Sequence, residues 1–416
     1  MYVKGLLQAL VLGGTIAAGL ATTAAFGATS DDQVQKLIER IDAQDRRIAE
    51  LEQALETAGG KDEATVPATA AKAAPPAASW ADKLQLKGDL RLRQENIDAE
   101  GKSSVSRQRV RARVAIVARP DDNLELGFGL ATGGDSPVSA NQTLGEGYSK
   151  KGVDVDLAYI DWAIVPDVHL VGGKMKNPFH RTGDNGLVWD SDLRPEGASI
   201  RWDNGRLFAV GGMFTPARDS GGSSEYVSGA QLGGRLQFSD SVILTLGASY
   251  FDLSDVKGGP LLYTDDDSAG NTVLTDLNGD LVYATGFKEV EAFAELAMNM
   301  GKLPISLFFD YVNNTDADEL NTGWAVGFTL GEAADKGSWA VSYVYEDLEA
   351  DAVLGLFTDS DFGGGGTDVK GHILGAAYAL SKRTNLAMTW FINKTDQSSA
   401  TERDYDRLQL DINFKY

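Results

Sequence analysis

The chain has 416 residues, with 60 acidic against 38 basic side chains for a net charge of −22, and no cysteine. That balance excludes the basic footprint that nucleic-acid phosphates require. The absence of thiols excludes disulfides, thiolate metal centres and c-type haem attachment, and the length allows one large architecture or two domains.

Lys4 precedes an almost uncharged run from Gly5 to Leu20, followed by small residues through Ala25, Phe26, Gly27 and Ala28. This predicts a secretory signal peptide over 1–27, cut after Gly27. Its apolar core is too short and too Gly-broken for a retained anchor. No later window approaches the roughly 20 apolar residues of a membrane helix, so the mature chain is either soluble or crosses a membrane as a barrel.

Over 28–57 the spacing predicts one helix from Asp31 to Thr57. Val34, Leu37, Ile41, Gln44, Ile48, Leu51 and Leu55 alternate by three and four residues, a heptad seam with one polar position, Gln44. The other faces are charged and Gly59-Gly60 stops the helix. So short a helix is marginal alone, which points to a self-associating coiled coil, a trimer ahead of a dimer. Residues 58–79 are rich in Ala, Pro and Thr and read as a flexible linker.

From Trp80 to the last residue the period becomes two. Leu84, Leu86, Gly88, Leu90 and Leu92 alternate with Gln85, Lys87, Asp89, Arg91 and Arg93. The pattern predicts sixteen strands over 83–95, 105–118, 123–132, 154–164, 168–176, 197–203, 206–214, 226–238, 241–252, 284–298, 303–313, 321–331, 337–347, 367–380, 384–394 and 405–416. Links after even-numbered strands are short, such as Pro120-Asp121-Asp122 and Asn204-Gly205. Most links after odd-numbered strands are long and rich in Gly, Asp and Ser. The expected fold is therefore all-β and transmembrane, a 16-stranded antiparallel outer-membrane β-barrel over 80–416 behind a periplasmic coiled coil. Trp202, Phe238, Tyr250, Trp339 and Tyr345 would supply the interfacial aromatic girdles.

If the apolar face meets lipid, the charged face meets a water-filled lumen. Lys87, Arg91 and Arg93 on the first strand, Arg107, Arg109, Arg111 and Arg113 on the second, and Lys174 later form a basic ladder. Facing lipid, such cations would each cost several kcal/mol. Stacked cations need counter-charges, for which Asp89 lies nearby and Glu289, Glu291, Glu295 and Asp310 are the candidates across the barrel. The third long loop, 177–196, carries His180, Arg181, Asp184, Trp189, Asp190, Asp192, Arg194 and Glu196, and is the candidate constriction. Asp276, Asn278 and Asp280 match the start of a calcium loop, but Leu281 stands where glycine is needed and Phe287 where glutamate is needed. The three histidines, His169, His180 and His372, have no nucleophile beside them in sequence, so no enzyme and no cofactor are expected.

The last strand ends on an aromatic: Leu408, Leu410, Ile412, Phe414 and Tyr416 share one face. This resembles the C-terminal signal read by the outer-membrane barrel assembly machinery, with Phe414 and Tyr416 as its aromatics. Gly88 to Arg93, Arg107 to Arg113, Pro137 to Thr143, Gly172 to Phe179, Trp189-Asp190-Ser191-Asp192, Phe357 to Phe362 and Gly366 to Gly371 together resemble the "putative porin" family of Gram-negative bacteria. The resemblance implies a trimeric sixteen-stranded barrel that passes small hydrophilic solutes, set among outer-membrane lipid and lipopolysaccharide. A looser resemblance links the coiled coil and basic ladder to phosphate-selective porins, so an anion or oligosaccharide channel is the rival within transport. From another class, an outer-membrane tether would need a wall-binding module, and none precedes the coiled coil.

Overall fold

The computed structural model describes residues 83–218, 224–262 and 267–416. The signal peptide expected over 1–27, the coiled coil over 28–57 and the linker over 58–79 lie outside the described residues. Where period-two alternation begins, the chain enters β1 (Leu84–Ala99), β2 (Val105–Asp121) and β3 (Leu124–Thr132). A two-residue strand β4 (Gln142–Thr143) edges β2 within a loop, and β5 (Val153–Val165), β6 (Val168–Lys174) and β7 (Glu196–Asp203) continue the wall. Next come β8 (Leu207–Arg218), β9 (Ser224–Ser239) and β10 (Val242–Leu253). A small loop hairpin of β11 (Val273–Thr275) and β12 (Leu281–Tyr283) precedes β13 (Phe287–Met300) and β14 (Leu303–Asn314). The wall ends with β15 (Thr322–Gly331), β16 (Trp339–Leu348), β17 (Val369–Ser381), β18 (Thr384–Thr395) and β19 (Arg403–Lys415).

Setting aside β4 and the β11–β12 hairpin, sixteen antiparallel strands pair in sequence order, and β1 pairs both β2 and β19. The sheet is thus a closed barrel with no free edge, the form in which strands can leave no backbone group unpaired in lipid. Closure joins Gly88 to the last residue: Tyr416 N–H donates to the Gly88 carbonyl at 3.1 Å and Gly88 N–H to the Tyr416 carbonyl at 3.3 Å. The Tyr416 ring lies over Gly88 in the space a Cβ would take, so glycine is required there.

One end of the barrel carries the tight turns, 122–123, 166–167, 240–241, 301–302 and 382–383. The other carries the long loops L2 (133–152), L3 (175–195), L5 (254–286) and L7 (349–368). Outward faces are apolar and exposed, as Leu86 and Leu232 at 62 % each illustrate. Trp162, Phe238, Trp339 and Tyr378 ring the turn end of that surface, and Tyr226, Tyr250 and Tyr311 the loop end. The indole and phenol rings among them carry a polar tip that suits the two membrane–water boundaries.

The hydrophobic core lies inside the barrel. L3 and L7 fold inward, and Phe179, Leu187, Trp189, Leu354, Phe357 and Phe362 pack against Phe251, Phe287, Val312 and Leu348 of the wall. Trp189 stacks on Phe357 with centroids 5.8 Å apart and meets Phe251 edge-on at 5.0 Å. Burial of each such ring stabilises the inward position by about 2–3 kcal/mol.

Candidate pore and constriction

Strand register dictates the charge problem. Across β1 and β2, Arg91 stands opposite Arg111 and Arg93 opposite Arg109, and like charges directly opposite repel. The structure places carboxylates between them. Arg93 grips Asp411 of β19 with two parallel bonds of 2.8 Å and reaches Asp361 of L7 at 2.9 Å. Arg407 of β19 lies 2.7 Å from both Glu95 and Asp361. Glu95, fully buried, also holds Arg107 and lies 3.7 Å from Arg109. Nearer the turns, Arg113 is 2.8 Å from both Asp89 and Asp192, and Arg111 is 3.2 Å from Asp89 and 3.4 Å from Asp192.

L3 and L7 thus deliver their acids by the same device. In Asp190-Ser191-Asp192 the Asp190 Oδ1 accepts the Asp192 N–H at 2.6 Å, and in Asp359-Ser360-Asp361 the Asp359 Oδ1 accepts the Asp361 N–H at 2.8 Å. Each turn aims its last carboxylate at the arginines. The loops also clamp each other: Ser360 N–H donates to Asp190 Oδ2 at 3.0 Å, and Asp190 N–H to the Phe357 carbonyl at 2.7 Å. Burial alone would raise Asp361 and Asp192. The guanidiniums of Arg407 and Arg93 nevertheless hold Asp361 far below the usual carboxylate range, and those of Arg111, Arg113 and Arg194 hold Asp192 below it. Asp190, buried beside Asp359, is pushed up to about 7, and burial with Asp361 nearby raises Asp359 to about 6.

The carboxylates expected as counter-charges across the barrel have other neighbours, because the inward loops lie between them and the arginines. Glu289 is buried and accepts the Leu354 N–H of L7 at 3.0 Å, and Glu291 accepts the Ser249 hydroxyl. Asp310 accepts the Asn185 side-chain amide of L3 at 2.8 Å, and Glu295 accepts the Gly183 N–H of L3 at 3.1 Å. Three of these four acids therefore anchor the loops. Gln231 adds to them by exchanging two bonds of 2.7 and 2.9 Å with the His180 backbone.

Lys87 lies toward the turn end of β1, exposed, on the lumen side of the alternation. Lys174 and Glu196 pair with each other at 2.7 Å where β6 and β7 open at the loop end, so Glu196 is a mouth residue and not part of the loop's inward tip. Arg181 bonds the carbonyls of Asn185 and Asp184, and Arg194 lies 3.3 Å from Asp156. Asp276, Asn278 and Asp280 form the turn between β11 and β12. There the Asp276 Oδ1 accepts N–H bonds of 2.8 and 2.9 Å from Asn278 and Asp280, so its carboxylate is committed to the turn. Among the described residues no group of three or more acidic or histidine side chains is arranged to hold a metal ion. His169 meets Asp161 at 2.6 Å and His372 meets Tyr343 at 3.0 Å, both on the barrel wall.

Sequence reading passed over Glu95, Asp361, Arg407 and Asp411 as partners of the ladder, and Asn141, whose Oδ1 accepts from Arg91 at 2.6 Å and whose carbonyl accepts from Arg109 at 3.3 Å. The β1–β19 register, which sets Arg93 opposite Asp411, appears only once the barrel is closed.

Glu95 gives a direct test. Glu95→Gln removes one buried charge, leaving Arg107 and Arg109 without a carboxylate and Arg407 with Asp361 alone, a loss on the order of 3 kcal/mol. The variant should lose its heat-resistant folded band in unboiled gel electrophoresis at a lower temperature than the parent. An unchanged midpoint would show that the buried network contributes nothing.

A closed sixteen-stranded barrel with apolar outside, charged lumen and inward loops is a pore-forming protein of the outer-membrane type. The family model described as "Putative porin" matches residues 97–276 and 263–416, and the chain belongs to that family, which makes it a porin of the outer membrane. Among solved structures, Pseudomonas putida OprB at high pH aligns over 81 % of this chain and 95 % of its own, with TM-score 0.55 and 10 % identity, a likeness of fold. Salmonella typhi OmpF in complex with daunomycin aligns over 81 % and 99 %, with TM-score 0.49 and 15 % identity. A loop-deleted OmpT of Vibrio cholerae aligns over 80 % and 100 %, with TM-score 0.46 and 12 % identity. No curated protein sequence matches the chain.

Proposed function

We propose that the protein is a diffusion porin that passes small hydrophilic solutes and ions along a lumen narrowed jointly by L3 and L7. The observation that carries this reading is the asymmetric filling of the barrel. L3 and L7 cover the wall of β9–β18 with apolar contacts, while the arginine wall of β1, β2 and β19 keeps polar cavities in front of it. Cations on the wall and carboxylates on the loop tips set a transverse field, which favours polar and charged solutes over apolar ones.

The working unit in this reading is a homotrimer. The barrel's outward face at the β19–β1–β2 seam supports it, because Gln94 and Gln108 line a groove of about 520 Å³ there with Leu92, Leu144 and Leu410. Gln94 donates to the Ser106 hydroxyl at 3.1 Å within its own barrel, and a neighbouring barrel would shield both amides from lipid, where polar groups are costly. Planar-bilayer recording of the purified protein tests both parts: ohmic channels opening in groups of three equal steps are expected. Absence of any conductance would reject the porin reading, and independent single steps would reject the trimer.

A further inference from the structure

Ser306 and Thr329 lie near the turn ends of β14 and β15, and with Arg91, Arg111, Arg113 and Glu295 they line a chamber of about 930 Å³ beneath L3. Its charges are unequally matched. Arg111 and Arg113 share Asp89 and Asp192, and Arg194 has Asp156. Among the described residues no carboxylate lies within 4 Å of Arg91, Lys176 or Arg181, and all three line this chamber. Arg91 spends one N–H on Asn141, yet its Nε is buried without an acceptor, as is the Nε of Arg111. Burial, with Arg194, Arg113 and Lys87 nearby, holds the Lys176 ammonium below its ordinary value, the condition of a cation short of a counter-charge.

The chamber's own carboxylates do not close this gap. Glu295 already accepts from Gly183 N–H at 3.1 Å and from the Ser306 hydroxyl at 3.0 Å. The remaining one, Asp184, stands against three cations without a carboxylate partner: Lys176, Arg91 with one N–H on Asn141, and Arg181 with two on the Asn185 and Asp184 carbonyls. By contrast, the cavity toward the loop end is lined by Asp135, Asp154, Asp156 and Glu196 against Lys174 and Arg194. The lining charge is therefore acidic in this loop-end cavity and basic in the chamber beneath L3.

Resting on the porin reading above, we propose that this chamber is a binding site for small oxyanions, solutes carrying carboxylate or phosphate groups, held among Arg91, Lys176 and Arg181. Guanidinium groups present paired donors that match the two oxygens of a carboxylate or phosphate, and the lysine adds a mobile point charge. Asp184 and the acidic mouth keep the site shallow enough for release, which a conducting channel requires.

The test is planar-bilayer recording in a potassium chloride gradient, with succinate or inorganic phosphate added to the turn side. Chloride is expected to permeate better than potassium, and millimolar succinate or phosphate to reduce the current reversibly. Block by succinate alone identifies carboxylates as the ligand, block by phosphate alone identifies phosphates, and block by both identifies the shared oxyanion. Lys176 makes no side-chain hydrogen bond or ion pair among the described residues, and Lys176→Gln should weaken the block about tenfold; Arg91→Gln should do the same, while Lys151→Gln in L2 leaves it unchanged. A conducting channel with no block by either anion, or a block unaltered in Lys176→Gln and Arg91→Gln alike, overturns the inference while leaving the porin intact. Lack of any channel falls on the porin reading instead.

Discussion

Removing residues 182–192 is expected to raise single-channel conductance roughly threefold, because a barrel of sixteen strands encloses an aqueous channel unless something fills it. What fills this one is the tip of L3, seated on Glu295, Asp310 and Gln231 and stacked through Trp189 on Phe357. The deletion leaves the strand pairing of the wall intact, although it removes Asp192 and so leaves Arg111 and Arg113 with Asp89 alone. Lys174 of β6 and Glu196 of β7 are register partners, so the shortened loop has only to join two neighbouring strands. L7 keeps its own anchors, since Asn271 donates to the carbonyls of Ala350 and Val353 at 2.7 and 2.8 Å, and Asn314 to that of Asp351 at 2.8 Å. The barrel should therefore fold, open wider and show the increase in bilayer recordings. Conductance equal to that of the parent would mean that L7 alone sets the narrowest point, and a matching deletion in L7 would then carry the increase.

The architecture was far more legible in the sequence than the lumen. Alternation along Leu84 to Arg93 identifies which side chain faces which medium, and short links after every second strand identify the turn end, because both are local properties of the chain. The pairing of charges is non-local. Arg93 meets Asp411 across the closing seam and Asp361 from a loop, contacts that span most of the chain. The inward fold of L7 was illegible for a related reason. Its apolar residues Leu354, Phe357 and Phe362 sit among glycines and aspartates that read as a solvated loop, and only the wall they pack against gives them a place. Glu289, Glu295 and Asp310 show the converse. Their inward direction followed from the strand period, whereas their partners were loop amides instead of arginines. One signal in the sequence did point to the shared device: the tripeptide Asp-Ser-Asp occurs at 190–192 and again at 359–361, each in a long loop.

The clamp between these two tripeptides should tighten as pH falls. Asp190, raised to about 7 by burial and the neighbouring Asp359, and Asp359, raised to about 6 by burial and Asp361, both bind protons more firmly with the loops docked than in water. For carboxyls raised in this way, the docked state is favoured fully below the ordinary value of about 4, and the advantage is lost as pH rises through about 6 to 7. The groups that face them do not reverse this sign. Asp192 and Asp361 stay ionised well below that window because the neighbouring guanidinium groups depress them. Hydrogen exchange at the Asp192 and Ser360 amides, both donors to Asp190, reads the clamp directly. After correction for the intrinsic pH dependence of exchange, protection of residues 186–193 and 355–361 is expected to be on the order of tenfold greater at pH 5 than at pH 8. Asp190→Asn cannot ionise but keeps only one of the two acceptor oxygens, so it should lower the protection overall and flatten its pH dependence. Equal corrected protection at both pH values in the parent protein would show that these carboxyls do not govern the docking of L3 on L7.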